Sequence, residues 1–125
     1  MFKADFHIHT KYSMDSDSEP EAIVKRCLEV GINCIAISDH GNIDGALVVR
    51  KLAPFMVIIA EEIMTHRGEI MGLFLKETIP SGMSVAETVS RIREQNGLIL
   101  IPHPFDRFRP SALDTQVLNE LVAQG

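Results

Sequence analysis

Short apolar runs alternate from beginning to end of the chain with stretches whose apolar positions recur at helical spacing, a rhythm that predicts an α/β fold. The first strand is predicted at Lys3 to His9. A helix follows over about Pro20 to Val30, with Ser18 and Glu21 as a capping box, Pro20 in the permitted first turn, and Gly31 where a left-handed cap belongs. Asn33 to Ser38 (NCIAIS) is an apolar run suited to a parallel strand covered on both faces, and Asp39-His40-Gly41 ends it. A shorter helix is expected from Asp44 or Gly45 to Leu52, then a third strand from Phe55 to Ala60. Thr65-His66-Arg67-Gly68 reads as a turn into a fourth strand, Glu69 to Leu75, so that these two form a hairpin. Ser84 and Glu87 are a second capping box, for a helix ending near Asn96 with Gly97 as its stop, and the strand Leu98 to Ile101 follows. The last segment, about Asp114 to Gln124, carries Val117, Leu118, Leu121 and Val122 on one helical face before Gly125.

Twice earlier in the chain a helix that ends at glycine is followed at once by a strand, so the sequence stops where another strand is expected. The expectation is the N-terminal part of a larger barrel, truncated at the C-terminus, or else an unusually short barrel. With 125 residues, no low-complexity tract and no linker, residues 1–125 are read as one domain or part of one.

Composition changes this picture little: 46% hydrophobic and 23% charged residues fit a globular protein and exclude a disordered or collagen-like chain. The formal net charge of -5 argues against stable binding to duplex nucleic acid through a basic face. Cys27 and Cys34 form no CxxC pair, so they are read as buried thiols rather than as a zinc knuckle or a disulfide framework. Met1 to Asp5 lack the character of a signal peptide, and no apolar run approaches the roughly 18 residues needed to span a bilayer. The expected location is cytoplasmic, with no membrane partner.

Chemistry enters with the histidines. His7 and His9 end the first predicted strand, His40 follows the second, and His103 follows Leu98 to Ile101. In parallel α/β folds the strand C-termini gather at one end, where residues distant in sequence converge. His7 and His9, two apart, project from the same side of a strand. Carboxylates hold matching places: Asp15 after the first strand, Glu62 after the third, Glu69 opening the fourth. A histidine and carboxylate set without thiolate suits zinc, manganese or iron. Asp5 and Asp39, each near a candidate ligand histidine, either orient imidazoles or are structural. Arg107 and Arg109 are candidates for binding a substrate phosphate. His66, in a turn, is read as solvent-exposed.

These residues resemble the PHP (polymerase and histidinol phosphatase) domain family, whose members have a distorted seven-stranded β/α barrel. Asp5-Phe6-His7-Ile8-His9-Thr10 with Tyr12-Ser13 is similar to its first motif, and Ile37-Ser38-Asp39-His40-Gly41 to its second. Glu61-Glu62-Ile63 with Gly68 to Leu73 resembles the segment bearing a bridging glutamate, and Ile101-Pro102-His103-Pro104-Phe105 a later histidine motif. The resemblance implies up to three divalent ions: His7 and His9 on one, Glu62 bridging two, His40 and His103 each completing a different one. Asp15 is favoured over Asp17 as the acidic ligand. Glu69 stands where many members have a histidine and is either a replacement ligand or a polar strand residue. The family's closing Asp-x-His motif has no counterpart after His103, which implies an incomplete cluster in this chain alone.

The implied reaction is metal-dependent hydrolysis of a phosphate ester, with a phosphorylated small molecule, nucleotide or oligonucleotide as substrate and an activated water as nucleophile. Two alternatives stand beside it: a noncatalytic metal-binding module, and hydrolysis of an amide or other non-phosphate substrate, because strand-end histidines also serve amidohydrolases.

Overall fold

Residues 1–106 and 108–124 are described by a computed structural model, and the alternating pattern yields five strands and four helices among them. In chain order these are β1 (Ala4–Ile8), α1 (Pro20–Val30), β2 (Cys34–Ile37), α2 (Asp44–Leu52), β3 (Met56–Thr65), β4 (Gly68–Leu73), α3 (Val85–Glu94), β5 (Leu98–Leu100) and α4 (Thr115–Gln124). The strands form one sheet in the order β1-β2-β3-β4-β5. The pairs β1/β2 and β2/β3 are parallel, whereas β3/β4 and β4/β5 are antiparallel. β5 therefore runs in the same direction as β1, β2 and β3. The C-terminal ends of those four strands and the N-terminal end of β4 lie at one end of the sheet.

Alternation along each strand sorts side chains between two faces. Ile35, Ile37, Ile59, Ile63 and Ile70 join Ile23, Val24 and Cys27 of α1, Ala46 and Val49 of α2, Val89 and Ile92 of α3, and Val117 and Leu118 of α4. Each of the fully buried isoleucines contributes about 1.5–3 kcal/mol of transfer free energy before entropy is counted. Cys34, Ala36, Ile58, Ala60, Met71 and Leu73 form a second, smaller cluster on the other face. Both cysteines are buried free thiols, as the sequence implied.

Several boundaries differ from the sequence reading for identifiable reasons. The capping box at Ser18 does not form: Glu19 is the N-cap of α1 without a side-chain hydrogen bond, and the Ser18 carbonyl accepts Lys11 N–H instead. Gly31 does take the left-handed cap, at φ 76°. Ser84 caps α3 as expected, its hydroxyl accepting Glu87 N–H at 3.1 Å. After α3 the left-handed residue is Asn96, at φ 59°, and Gly97 serves close packing, because a Cβ there would press on Leu73 O and Ile92. β3 runs five residues beyond Ala60, through both glutamates, before the two-residue turn His66-Arg67 leads into β4. Residues 111–114 then dock beside that hairpin, with Glu69 N–H donating to Ser111 O and Asp114 N–H to Arg67 O, each at 2.8 Å. No helix among the described residues is long and apolar enough to cross a membrane.

Candidate metal centre

Glu62 is the centre of the cluster at the strand ends. It lies two residues beyond Ala60 on the same face of β3, and it is 1% exposed. Its Oε2 lies 3.0 Å from His7 Nε2, 3.0 Å from His9 Nε2 and 3.6 Å from His40 Nε2. Its Oε1 lies 3.6 Å from His103 Nε2 and has no hydrogen-bond partner among the described residues. A buried carboxylate oxygen without a donor costs about 1–3 kcal/mol, more when ionised, unless a cation or water meets it. Four imidazoles around one such carboxylate are a donor set that fits a divalent ion. Ligand atoms lie within 4.8 Å of one another in two groups, His7-Glu62-His103 and His9-His40-Glu62. These groups divide His7, on β1, from His9, directly after it, whereas the sequence resemblance puts His7 and His9 on one ion.

The remaining carboxylates sit around this core. Asp15, 51% exposed, reaches His9 Nδ1 at 3.2 Å and His40 Nε2 at 3.1 Å. Glu69 pairs across the hairpin with Met64, on the same face as Glu62, and its Oε1 is 3.7 Å from His40 Nδ1. His7, His9, Asp15, His40, Glu62, His103 and Arg109 together line an open cavity of about 250 Å³. A larger groove of about 860 Å³, walled by Val85, Val89, Val117 and Leu121, lies away from this cluster.

Electrostatics polarise the set. Burial alone would raise the Glu62 pKa, but hydrogen bonds from His7 and His9 outweigh it and hold the carboxyl well below its usual range. Burial and the adjacent Glu62 push Glu69 up to about 7. Burial works against a charged His9, yet Glu62 and Asp15 outweigh it and raise the imidazole. Burial and then the Arg109 charge lower His103, which favours the neutral, ligating form. For Asp15 the opposing burial effect is overcome by the Ser13 hydrogen bond and the His9 charge, so its pKa is lowered.

A small hydrogen-bonded framework places the His9 and His40 rings 4.8 Å apart. Asp39 is fully enclosed, and its carboxylate accepts both the backbone N–H and, at 2.6 Å, the hydroxyl of Thr10. Gly45 is needed beside this clamp, since a Cβ there would collide with Asp39 Oδ2 and Thr10 Oγ1. Ser38 N–H donates to Ile8 O at 2.8 Å, and His40 N–H to Ser13 Oγ at 3.1 Å. The turn after β1 is thus tied to the end of β2. Asp39 and Asp5 are structural in this arrangement: Asp5 accepts the backbone N–H of His7 rather than an imidazole.

All seven residues expected as ligands stand at this end of the sheet, and Arg109 joins the cavity wall, where it also pairs with Asp106 at 3.7 Å. Arg107, the other expected phosphate-binding residue, lies outside the described residues. Asp17, the alternative to Asp15, does not line the cavity, and His66 is exposed in the hairpin turn. Sequence reasoning named Asp39 only as an imidazole partner or a structural carboxylate, and it missed the roles of Ser13 and Thr10. Their signal is membership of the first motif, Thr10 directly after the His-x-His pair and Ser13 four residues after His9.

The sequence matches the PHP domain family over residues 5–100. Among curated proteins it is similar to two uncharacterized proteins of Methanocaldococcus jannaschii. One is 47% identical over 116 residues, covering 82% of this chain and 68% of the relative; the other is 39% identical over 111 residues, covering 89% of this chain and 43% of the relative.

Proposed function

The chain belongs to the PHP domain family, and from that premise we propose that it carries a divalent-metal site that hydrolyses phosphate esters. PHP domains are generally metal-dependent hydrolases that bind divalent ions. The observation that carries the reading is the enclosed Glu62 carboxylate, with imidazole nitrogens around both of its oxygens and, among the described residues, no hydrogen bond to Oε1.

In this reading Glu62 bridges two positions, one completed by His7 and His103 and the other by His9 and His40. Asp15 adds a carboxylate to the second position, and Glu69 stands close enough to His40 to support it. Bound zinc, manganese or iron would supply the positive charge that acidifies water and binds the ester oxygens. Arg109, on the wall of the same cavity, is proposed to bind a phosphate oxygen, as is Arg107. The cavity is small and open, which suits entry of a phosphoryl group with the rest of a small molecule, nucleotide or oligonucleotide outside. We read the five-stranded sheet as part of the family's distorted barrel.

Elemental analysis together with phosphate release from an aryl phosphate tests this reading. The zinc- or manganese-loaded chain is expected to release phosphate, and Glu62→Gln to lose both metal and activity. Stoichiometric metal without phosphate release would assign the site to metal binding alone or to a non-phosphate substrate. Absence of bound metal after reconstitution would sink the proposal.

A further inference from the structure

Ser13 is 2% exposed and sits among three components of the His9 side of the site. Its hydroxyl donates to Asp15 Oδ1 at 2.7 Å, accepts His40 N–H at 3.1 Å, and lies 3.3 Å from His9 Nδ1. A serine hydroxyl has one proton and two acceptor lone pairs. The proton is committed to Asp15 and one lone pair to the His40 backbone, so the remaining lone pair can only accept from His9. The other neighbour of His9 Nδ1, Asp15 Oδ1 at 3.2 Å, is also an acceptor in its ionised form. Both contacts require a proton on Nδ1, so a cation that displaces the proton Nε2 shares with Glu62 Oε2, 3.0 Å away, finds Nε2 as the nitrogen left to ligate. The same hydroxyl holds Asp15 Oδ1, while Asp15 Oδ2 faces His40 Nε2 at 3.1 Å.

From this geometry we infer that Ser13 is a positioning residue: it sets the His9 tautomer and aims Asp15 Oδ2, so that His9, Asp15, His40 and Glu62 offer one preformed cation position. Among the described residues no hydroxyl comparably ties His103, whose left-handed backbone (φ 49°) and partly exposed ring belong to the loop after β5. The inference rests on the metal-centre reading and says which atoms of that site are fixed in advance. Residues that orient ligands in this way typically change metal affinity ten- to a hundredfold when removed.

The test uses zinc alone as the probe, with the whole chain labelled with ¹⁵N and imidazole nitrogens observed by NMR. In the zinc-loaded wild type, His9 is expected as the Nδ1–H tautomer with zinc on Nε2. In Ser13→Ala, the zinc concentration that half-saturates the His9 and His40 signals should rise by about ten- to a hundredfold, with the His7 and His103 signals shifted by less than about threefold. Zinc on His9 Nδ1 in the wild type would overturn the inference without any variant, so a Ser13→Ala chain that fails to fold does not protect it. Equal weakening on both sides, or none, would also overturn it while leaving the metal centre standing. A wild type that binds no zinc would remove the metal-centre reading and this inference together.

Discussion

Glu61 and Glu62 are neighbours on β3, carry the same side chain and are equally hidden, at 0% and 1% exposed, yet they stand in opposite electrostatic states. Glu62 faces four histidines, and hydrogen bonds from His7 and His9 hold its carboxyl low against the effect of burial. Glu61 projects to the helix-covered face, where Oε1 accepts Ile79 N–H at 2.8 Å and Oε2 has no partner among the described residues. Burial there drives its pKa up to about 7, and the single N–H bond only moderates the rise. One step along a strand turns a side chain to the other face of the sheet. That step separates a carboxylate suited to a cation from a carboxyl group whose proton the core holds up to about pH 7.

The largest effect should come from Glu62. Glu62→Gln keeps the shape and removes the charge shared by both histidine groups, so zinc affinity is expected to fall by at least about a hundredfold, more than loss of a supporting residue costs. Equilibrium titration against a chromophoric chelator measures it. Glu61→Gln in the same assay should shift affinity by less than about threefold, since the second effect belongs to stability. If both substitutions weaken zinc alike, the separation by face is wrong.

Glu61→Gln should instead change how stability depends on pH. With a folded pKa near 7 against an unfolded value of 4.5, the folded chain holds the proton more tightly. Its stability is therefore fully present below 4.5, falls as pH rises between 4.5 and 7, and stays low above 7. Glutamine cannot ionise, so the variant should gain on the order of 2–3 kcal/mol relative to wild type between pH 4.5 and pH 8. Urea denaturation of the metal-free chain at several pH values measures this. A difference that does not vary with pH would mean that Glu61 is already ionised in the fold, or that water reaches it.

The separation was only partly legible in the sequence. Two adjacent glutamates after Phe55 to Ala60 read as the end of a strand, and β3 instead continues through both because each carboxyl finds a use, one among histidines and one on Ile79 N–H. Apolar runs and glycine punctuation carried enough information for every strand and helix of the sheet, because burial follows periodicity. The histidines were legible because they fall at equivalent places on separate strands. Ser13 and the Asp39 clamp were not, since a hydroxyl's role depends on which donors and acceptors a turn brings within about 3 Å, and spacing does not encode that.

Gly45→Ala probes how far the Glu62 side depends on its framework rather than on its ligands. Alanine favours a helix over glycine by about 1 kcal/mol, so propensity alone predicts that α2 becomes more stable. The new methyl would collide with Asp39 Oδ2 and Thr10 Oγ1, and overpacking of a closed site costs roughly 1–3 kcal/mol. The collision should win, giving a net loss of up to about 2 kcal/mol by urea denaturation. A stabilised variant would show that the clamp can shift without cost and that the His9 and His40 positions are softer than the hydrogen bonds imply.

The smallest expected effect is at His66, which lies four residues beyond Glu62 in the turn that ends β3. Simple proximity in sequence would make it a fifth histidine ligand. Its backbone N–H is used, donating to Met83 O at 3.1 Å, but its ring is exposed and lines the groove by α3 and α4 rather than the cavity that holds Glu62. His66→Ala should leave zinc stoichiometry unchanged and stability within about 0.5 kcal/mol, as for other surface substitutions away from a network. Loss of a zinc equivalent in this variant would mean that the hairpin turn folds over the site, and that position at the sheet end, rather than the face of β3, decides which histidines bind.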